Sequence, residues 1–400
     1  MIFRDLKLTN LILLIILIAG HINAQNSNVS GFITDEKTGE ALIGANVFIV
    51  ETGNGMSTDK NGYFILQNIR PGSYTLMVSY IGYATLQKEM NFGVNESIKM
   101  NLELGIEAVA ITEVDVSAEK IQRKNNIQPS RVNLSPRIIK AAPALAEPDI
   151  FRTIQALPGV LTSNEASTGL VIRGGNTDQN LILLDGITVY NPTHFGGIFS
   201  NFLVDAVKEA ELIKGGFNAE YGGRLSAVLN VLSREGNRNY FQGKTSISLL
   251  SAQTTMEGPF YNGAWLLSAR RTYFDYLLPK ILPAETAEKI PPYYFYDLQG
   301  HVFSDLNEKD RISVSIYRGI DDLIFDNLGL TADWGNNTYS LSFRRVFNEK
   351  MVGNFLVASS EFFTNFNLGG DDGLNSENKI LDQTLSVSYT HLTLPTSDLV

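Results

Sequence analysis

The chain has 400 residues, 44% hydrophobic and 18% charged, with 34 glycines, no cysteine and a net charge of −10. That length and apolar content suffice for about two or three domains, and the glycine and aromatic share leans towards β-structure and away from helical bundles. The acidic balance argues against nucleic-acid partners, and the missing cysteine excludes a disulfide framework and a lipidated N-terminal cysteine. Arg4 and Lys7 precede the apolar run "LILLIILIAG" (11–20), and "HINAQ" offers Ala24 before a cut. Residues 1–24 are therefore predicted to be a secretory signal peptide, too short in its apolar part to span a bilayer comfortably. Ile22 stands where a small residue is usual, so the cut position stays open.

Residues 28–103 set short apolar strands between turns. "VFIV", "FIL" and "YTLMVSYIGY" carry aromatic and β-branched residues, while "TDEKTGE", "TDKNGY" and Pro71-Gly72 supply the reversals. The spacing predicts a β-sandwich. "DKNG" (59–62) reads as a tight turn; as half a calcium loop it lacks the matching glutamate. Through "G-x-I-x-D…TGE-x-L-x-GANV" (31–47) and "TDKNGYF…PGSYTL" (58–76) the segment resembles the carboxypeptidase-regulatory-like domain, a transthyretin-like sandwich. That domain is the accessory part of those peptidases. The histidines His21, His194, His301 and His391 are scattered and form no zinc pattern.

The linker 104–127 holds "AITEVDVSA" (110–118), which alone reads as an ordinary strand or as a free strand offered to a partner's sheet edge. In residues 128–236, "FRTIQALPGV" reads as a helix stopped at Pro158-Gly159, and "LILLDGITVY" as a hairpin turning at Asp185-Gly186. "VDAVKEAELIKGG" (204–216) reads as a short helix passing into a strand, and "SAVLNVLS" as a buried strand.

The order "LPGV…IRGG…N-LILLDG-I-VY…E-LIKGG-x-AEYGGRLSAVLNV" resembles the plug domain of TonB-dependent outer-membrane receptors. The resemblance implies a compact α/β plug inside a barrel of about 22 strands, a lumen too wide for side chains alone to fill. It implies that Arg173 and Arg224 pair with acidic groups on the barrel wall, since unpaired buried charges are costly. Gly174, Gly175, Gly215, Gly216, Gly222 and Gly223 are expected to allow positive φ or close backbone approach. Tyr221 is expected to pack, and "NPTHFGGIFSNF" (191–202) to form an apical loop whose Asn191, His194, Phe195 and Phe199 face substrate. In such receptors a TonB box precedes the plug and adds as a strand to TonB. Ile111, Thr112, Glu113, Val114, Asp115, Val116 and Ser117 occupy that place. Asp115 departs from the apolar pattern, which backbone pairing tolerates.

Residues 237–389 alternate as wall strands do, in "TSISLL" (245–250), "WLLSAR" (265–270), "RISVSIY" (311–317), "YSLSF" (339–343) and "TLSVSY" (384–389). Ile312, Val314 and Ile316 share one face, Ser313 and Ser315 the other. Short turns at 261–263, 307–310 and 348–350 alternate with longer stretches, 275–294, 319–336 and 367–379, read as external loops. About eight strands are counted, whereas a full barrel needs ~450 residues, so the chain is expected to be a C-terminally truncated piece. The tail 390–400 breaks the alternation at Pro395 and resembles translated non-coding sequence.

The expected fold is multi-domain and mainly β: an N-terminal β-sandwich, an α/β plug, and the first strands of a transmembrane β-barrel. The expected function is TonB-dependent transport of a siderophore, cobalamin-like molecule, oligosaccharide or peptide across the outer membrane of a Gram-negative bacterium. The sandwich and box would face the periplasm. TonB with its inner-membrane energising complex, outer-membrane lipids and the nutrient are the expected partners; a surface lipoprotein is left open. No G-x-S-x-G, P-loop, complete G-x-G-x-x-G or zinc cluster is found, so no catalytic residue, metal or cofactor is expected. A signal-transducing receptor and a secreted β-sandwich adhesin are the alternatives. The first should carry an extra signalling domain and the second repeats of the sandwich.

Overall fold

The structure, a computed structural model, describes residues 27–59, 61–106, 130–144, 147–162, 169–287, 291–325, 329–348, 351–369 and 373–391. The expected signal peptide and TonB box lie outside them. The chain divides into two compact units, the sandwich and the plug with its wall.

In the sandwich, β1 (Ser27–Asp35) pairs antiparallel with β4 (Tyr63–Ile69) and parallel with β7 (Ser97–Lys99) and β8 (Leu102–Leu104). The second sheet runs β3 (Gly55–Ser57), β2 (Asn46–Ile49), β5 (Gly72–Ser79), β6 (Leu86–Phe92). Val29, Ile33, Val47, Phe64, Leu66, Leu76, Val78 and Phe92 are buried together, the inward half of each strand's two-residue period. Asp59 and Gly62 close the tight turn read from sequence, the Gly62 N–H donating to Asp59 O (2.9 Å). The Asp59 carboxylate accepts from the backbone N–H of Asn61 (2.8 Å) and Tyr63 (2.9 Å), and Gly62 takes the left-handed φ of +74°.

The plug is a five-stranded mixed sheet in the order β13 (Ile187–Thr188), β12 (Leu181–Leu184), β17 (Val228–Ser233), β16 (Val207–Ile213), β9 (Arg131–Leu134). β12 and β17 run parallel at its centre, which explains their nearly unbroken apolar sequences: both faces are covered. The helices Pro136–Ala141 and Ile150–Gln155 pack Ile139, Ile150, Phe151 and Ile154 on one face. Ser135 and Asp149 cap them through the N–H groups of Ile138 and Arg152. Only the 3-10 turn Val204–Ala206 stands where a short helix was expected before β16.

The wall is an antiparallel meander of eight strands: β18 (Gln242–Ile247), β19 (Ser251–Phe260), β20 (Gly263–Thr272), β21 (Tyr293–Asp305), β22 (Asp310–Phe325), β23 (Leu330–Asn348), β24 (Met351–Leu368) and β25 (Leu374–His391). Its faces are inverted relative to a water-soluble sheet. Val302, Val314, Leu341, Val357 and Leu385 form one row across five strands, and the last four are 40–78% exposed. The opposite face buries Ser268, Arg270, Asp297, Gln299, Asp321, Asn336 and Ser360.

Three strand expectations are corrected. The first wall strand lies at Gln242–Ile247, so Ser248, Leu249 and Leu250 of "TSISLL" fall in the turn that follows. The stretches 319–336 and 367–379 are largely strand, not loop, because β22–β25 continue past the apolar belt. Beyond it the outward positions are Asp322, Asp333, Asn365 and Glu377, while Trp334 and Phe366 point inward. The backbone ladder persists after the hydrophobic alternation that signals it has reversed. Of the long stretches only 275–294 is a connection, carrying the helix Phe274–Ile281. At the end of the chain Thr390 and His391 continue the pairing with Val352 and Met351; residues 392–400 lie outside the described set. Phe64→Ala should destabilise the sandwich by about 3–5 kcal/mol, since it empties a fully buried site. Urea-dependent amide exchange of β1 and β4 measures this, with exchange in the plug unchanged.

Candidate functional site

The best-built polar site lies where the plug meets the wall. It begins at the hairpin read from sequence: Asp185 and Gly186 both take positive φ, +53° and +83°, as a type I′ turn requires. That backbone aims the Asp185 carboxylate at β17, where it accepts from Ser233 N–H (2.8 Å) and Oγ (2.6 Å). Ser233 Oγ accepts in turn from Gln299 Nε2 on the wall (2.8 Å). Further along, Ser360 Oγ donates to Thr188 O (2.6 Å) and Tyr190 Oη to Asp382 (3.1 Å).

The deepest contact is a chain of buried charges. Arg270 on β20 binds Asp297 on β21 with two nitrogens (2.8 and 2.6 Å), and also Glu147 (2.6 Å) and Ser200 O (2.8 Å) of the plug. His194 of the plug loop sits between two wall carboxylates, Nε2 at 2.8 Å from Asp297 and Nδ1 at 2.7 Å from Asp321. Its ring is fully buried and stacks on Phe295, centroids 4.2 Å apart. Tyr317 Oη donates to Asp297 (2.8 Å), and Tyr293 Oη and Phe195 N–H to Asp321. Burial alone pushes the imidazole pKa down, but Asp297 and Asp321 outweigh it and raise the value to about 9. A second buried group joins Arg311 to Asp305 (2.6 Å) and Glu235 (2.8 Å). Burial would raise the Glu235 carboxyl, but Arg311 and Lys208 hold it well below the usual range. Arg234 binds Glu257 (2.8 Å), and Asp205 accepts from Lys140 of the plug and Lys244 of the wall.

The structure assigns the expected residues unequally. Arg173 reaches Ser130 (3.1 Å) and Arg224 the carbonyl of Gly223 (3.1 Å). Neither is ion-paired among the described residues, so the wall pairing expected of them falls to Arg270, His194 and Arg234. Arg173, at φ +50°, keeps its guanidinium within the plug, beside Ser130 and Gly215. Gly174, Gly215, Gly216 and Gly223 take positive φ, and Gly175 abuts Ser226; Gly222 shows neither feature. Tyr221 is half-buried and packs against Leu181, Leu183, Ile213 and Val228. Of the four residues expected to face substrate, His194 and Phe199 are buried, because the wall offers His194 two carboxylates and Phe199 the rings of Tyr293 and Phe295. Phe195 stays 43% exposed, and Asn191 borders a cavity of about 540 Å³ with Asp178, Asn180, Tyr190 and Arg224.

Residues 113–228 match the TonB-dependent receptor plug domain, and residues 29–116 the CarboxypepD_reg-like domain. The chain is a homologue of the TonB-dependent receptors. The TonB-dependent receptor P26 of Formosa agariphila is 30% identical over 223 residues, 52% of this chain and 21% of that protein. The TonB-dependent transporter Oar of Myxococcus xanthus is 25% identical over 55% of this chain and 21% of its own length. The TonB-dependent receptor SusC of Bacteroides thetaiotaomicron is 27% identical over 54% and 22%. The matched region thus spans about a fifth of each relative's length. The ferric enterobactin receptor of Pseudomonas aeruginosa superposes with a TM-score of 0.48 at 14% identity, covering 66% of this chain and 46% of that one.

Sequence reasoning missed Arg270, Asp297, Asp321 and Glu147. The three wall residues shared one signal, a charged residue at the inward parity of an apolar strand, as in "YYFYDLQG"; Glu147, in a loop of the plug, had none. Asp297→Asn should weaken plug retention in this receptor homologue by about 3–5 kcal/mol, because Arg270 and His194 lose a shared counter-charge. Lys244→Ala, on a half-exposed lysine, should cost under ~1 kcal/mol. Urea-dependent loss of amide protection in the plug, with the wall intact, separates the two.

Proposed function

We propose that the protein takes part in TonB-dependent uptake of a scarce or bulky nutrient across the outer membrane of a Gram-negative bacterium. The carrying observation is the inverted wall, apolar outward and polar inward against a folded plug. On β23 the outward run Phe343, Leu341, Tyr339 lies between Arg345 and Asn337. The two flanking positions are eight residue steps apart, about 26 Å along the strand at ~3.3 Å per step and about 20 Å across the bilayer at a ~40° tilt, which accounts for most of the roughly 25 Å apolar band of outer-membrane barrels. No helix among the described residues is long and apolar enough to cross a membrane; the strands are the elements suited to it.

In this reading residues 111–117 form the TonB box, offering a periplasmic strand to TonB, which pulls on the plug. Groups lining the cavity, the exposed Asn191 and the half-buried Tyr190 and Arg224, meet the nutrient, with the exposed ring of Phe195 on the same loop. The plug is held by polar pairs together with small apolar contacts at Phe199 and at Leu203 and Ala206 against Leu266, so local rearrangement can free it without opening the plug's own core. That suits a stopper required to yield.

Two outcomes follow for the full-length protein. Leu341→Arg should cost about 2–4 kcal/mol of membrane insertion, whereas Ser340→Arg, on the lumenal face, should not carry that lipid-facing penalty; heat-modifiable gel mobility of outer-membrane fractions reports assembly. Deleting residues 111–116 should abolish uptake and leave surface binding of the nutrient intact. Unchanged uptake would remove the box assignment.

A further inference from the structure

We propose that His194, as an imidazolium shared by Asp297 and Asp321, is the positioning residue that pins the 191–197 loop to the wall and presents Phe195 to the lumen. The charge state follows from hydrogen-bond stoichiometry. Both ring nitrogens lie within 2.8 Å of carboxylate oxygens. Ionised carboxylates only accept, and a neutral imidazole carries one N–H. A neutral ring would set a lone pair against one aspartate, in a place that water does not reach. The imidazolium serves both.

The surrounding groups are all committed. Asp297 also accepts from Arg270 on β20 and Tyr317 on β22; Asp321 accepts from Tyr293 on β21 and from the Phe195 N–H. Glu147 of the plug holds the far side of Arg270. Three carboxylates therefore face two cations while His194 is charged, and one cation once it is neutral.

Phe195 shows what the clamp holds. It takes φ +52°, rare for a residue with a side chain, and Gly196 and Gly197 follow at +62° and +102°. Its N–H is fixed by Asp321 and Tyr293 Oη, and its ring lies on Tyr293, centroids 4.6 Å apart, with Trp334 beyond. An exposed ring on a strained backbone persists where its surroundings over-determine it. The neighbouring buried histidine supplies that constraint. A role for Phe195 in cargo binding rests on the uptake reading; the clamp rests on geometry alone.

The imidazole value of about 9 lies above the ordinary ~6.5. The clamp therefore contributes fully below pH ~6.5 and is lost as pH rises through about 9. These 400 residues hold no cysteine, so in full-length protein with any cysteine elsewhere replaced by serine, Thr193→Cys gives a single spin-label site in outer-membrane vesicles. The label should be immobilised at pH 7 and become mobile with a midpoint within about one unit of pH 9. His194→Gln should be mobile already at pH 7. Asp321→Asn should stay immobilised through pH 10, because its amide can donate to a neutral ring. The proposal is overturned by a parent label with no transition up to pH 10.5, by His194→Gln matching the parent at pH 7, or by Asp321→Asn titrating as the parent does. Should His194→Gln fail to assemble, the parent and Asp321→Asn curves decide. No uptake is measured, so failure of the transport reading would leave the result standing.

Discussion

The structure turns on one constraint: the polar inner face of the wall is removed from water by the plug, so the plug must supply the partners that water would have supplied. Arg270, Asp297, His194, Asp321 and Glu147 meet it together, each charge lying against its opposite within about 2.8 Å. Such a cluster adds little net stability against an apolar replacement, since desolvation offsets attraction. It contributes position. A plug seated by paired charges sits in one register, and separation exposes groups that water can receive.

The same constraint orders the wall. Its outward side is apolar where lipid would lie; its inward side is polar where it meets the plug. Past the belt the pattern turns over, with Asp322 and Asp333 outward and Trp334 inward. The 18- and 19-residue strands β23 to β25 thereby carry the sheet well beyond the ~9–11 residues that cross a bilayer.

The plug was the most legible part. Its turn at Asp185-Gly186, its helix stop before Gly159 and its buried strands are local matters, set by left-handed backbone and short-range apolar runs. The projecting hairpins were misread because strand pairing is non-local and leaves no trace once both faces turn polar or mixed. Arginines were expected to make the plug–wall pairs, and a histidine makes the deepest one. Single polar letters such as His194 carry no mark of their partners, which lie 103 and 127 residues further on.

Taken alone, the amino-acid order determined the β-rich character, the strands and turns of the sandwich and the alternation of the wall, because each depends on neighbours one to four residues away, and it showed the plug through motifs spread over about a hundred residues that resemble a known domain. Tertiary structure alone decided which charges are buried, that His194 faces two aspartates while Arg173 and Arg224 are in no ion pair among the described residues, and that Phe195 is held out in strain. Those outcomes depend on which distant strands lie side by side, and burial among them sets the energy of every charge.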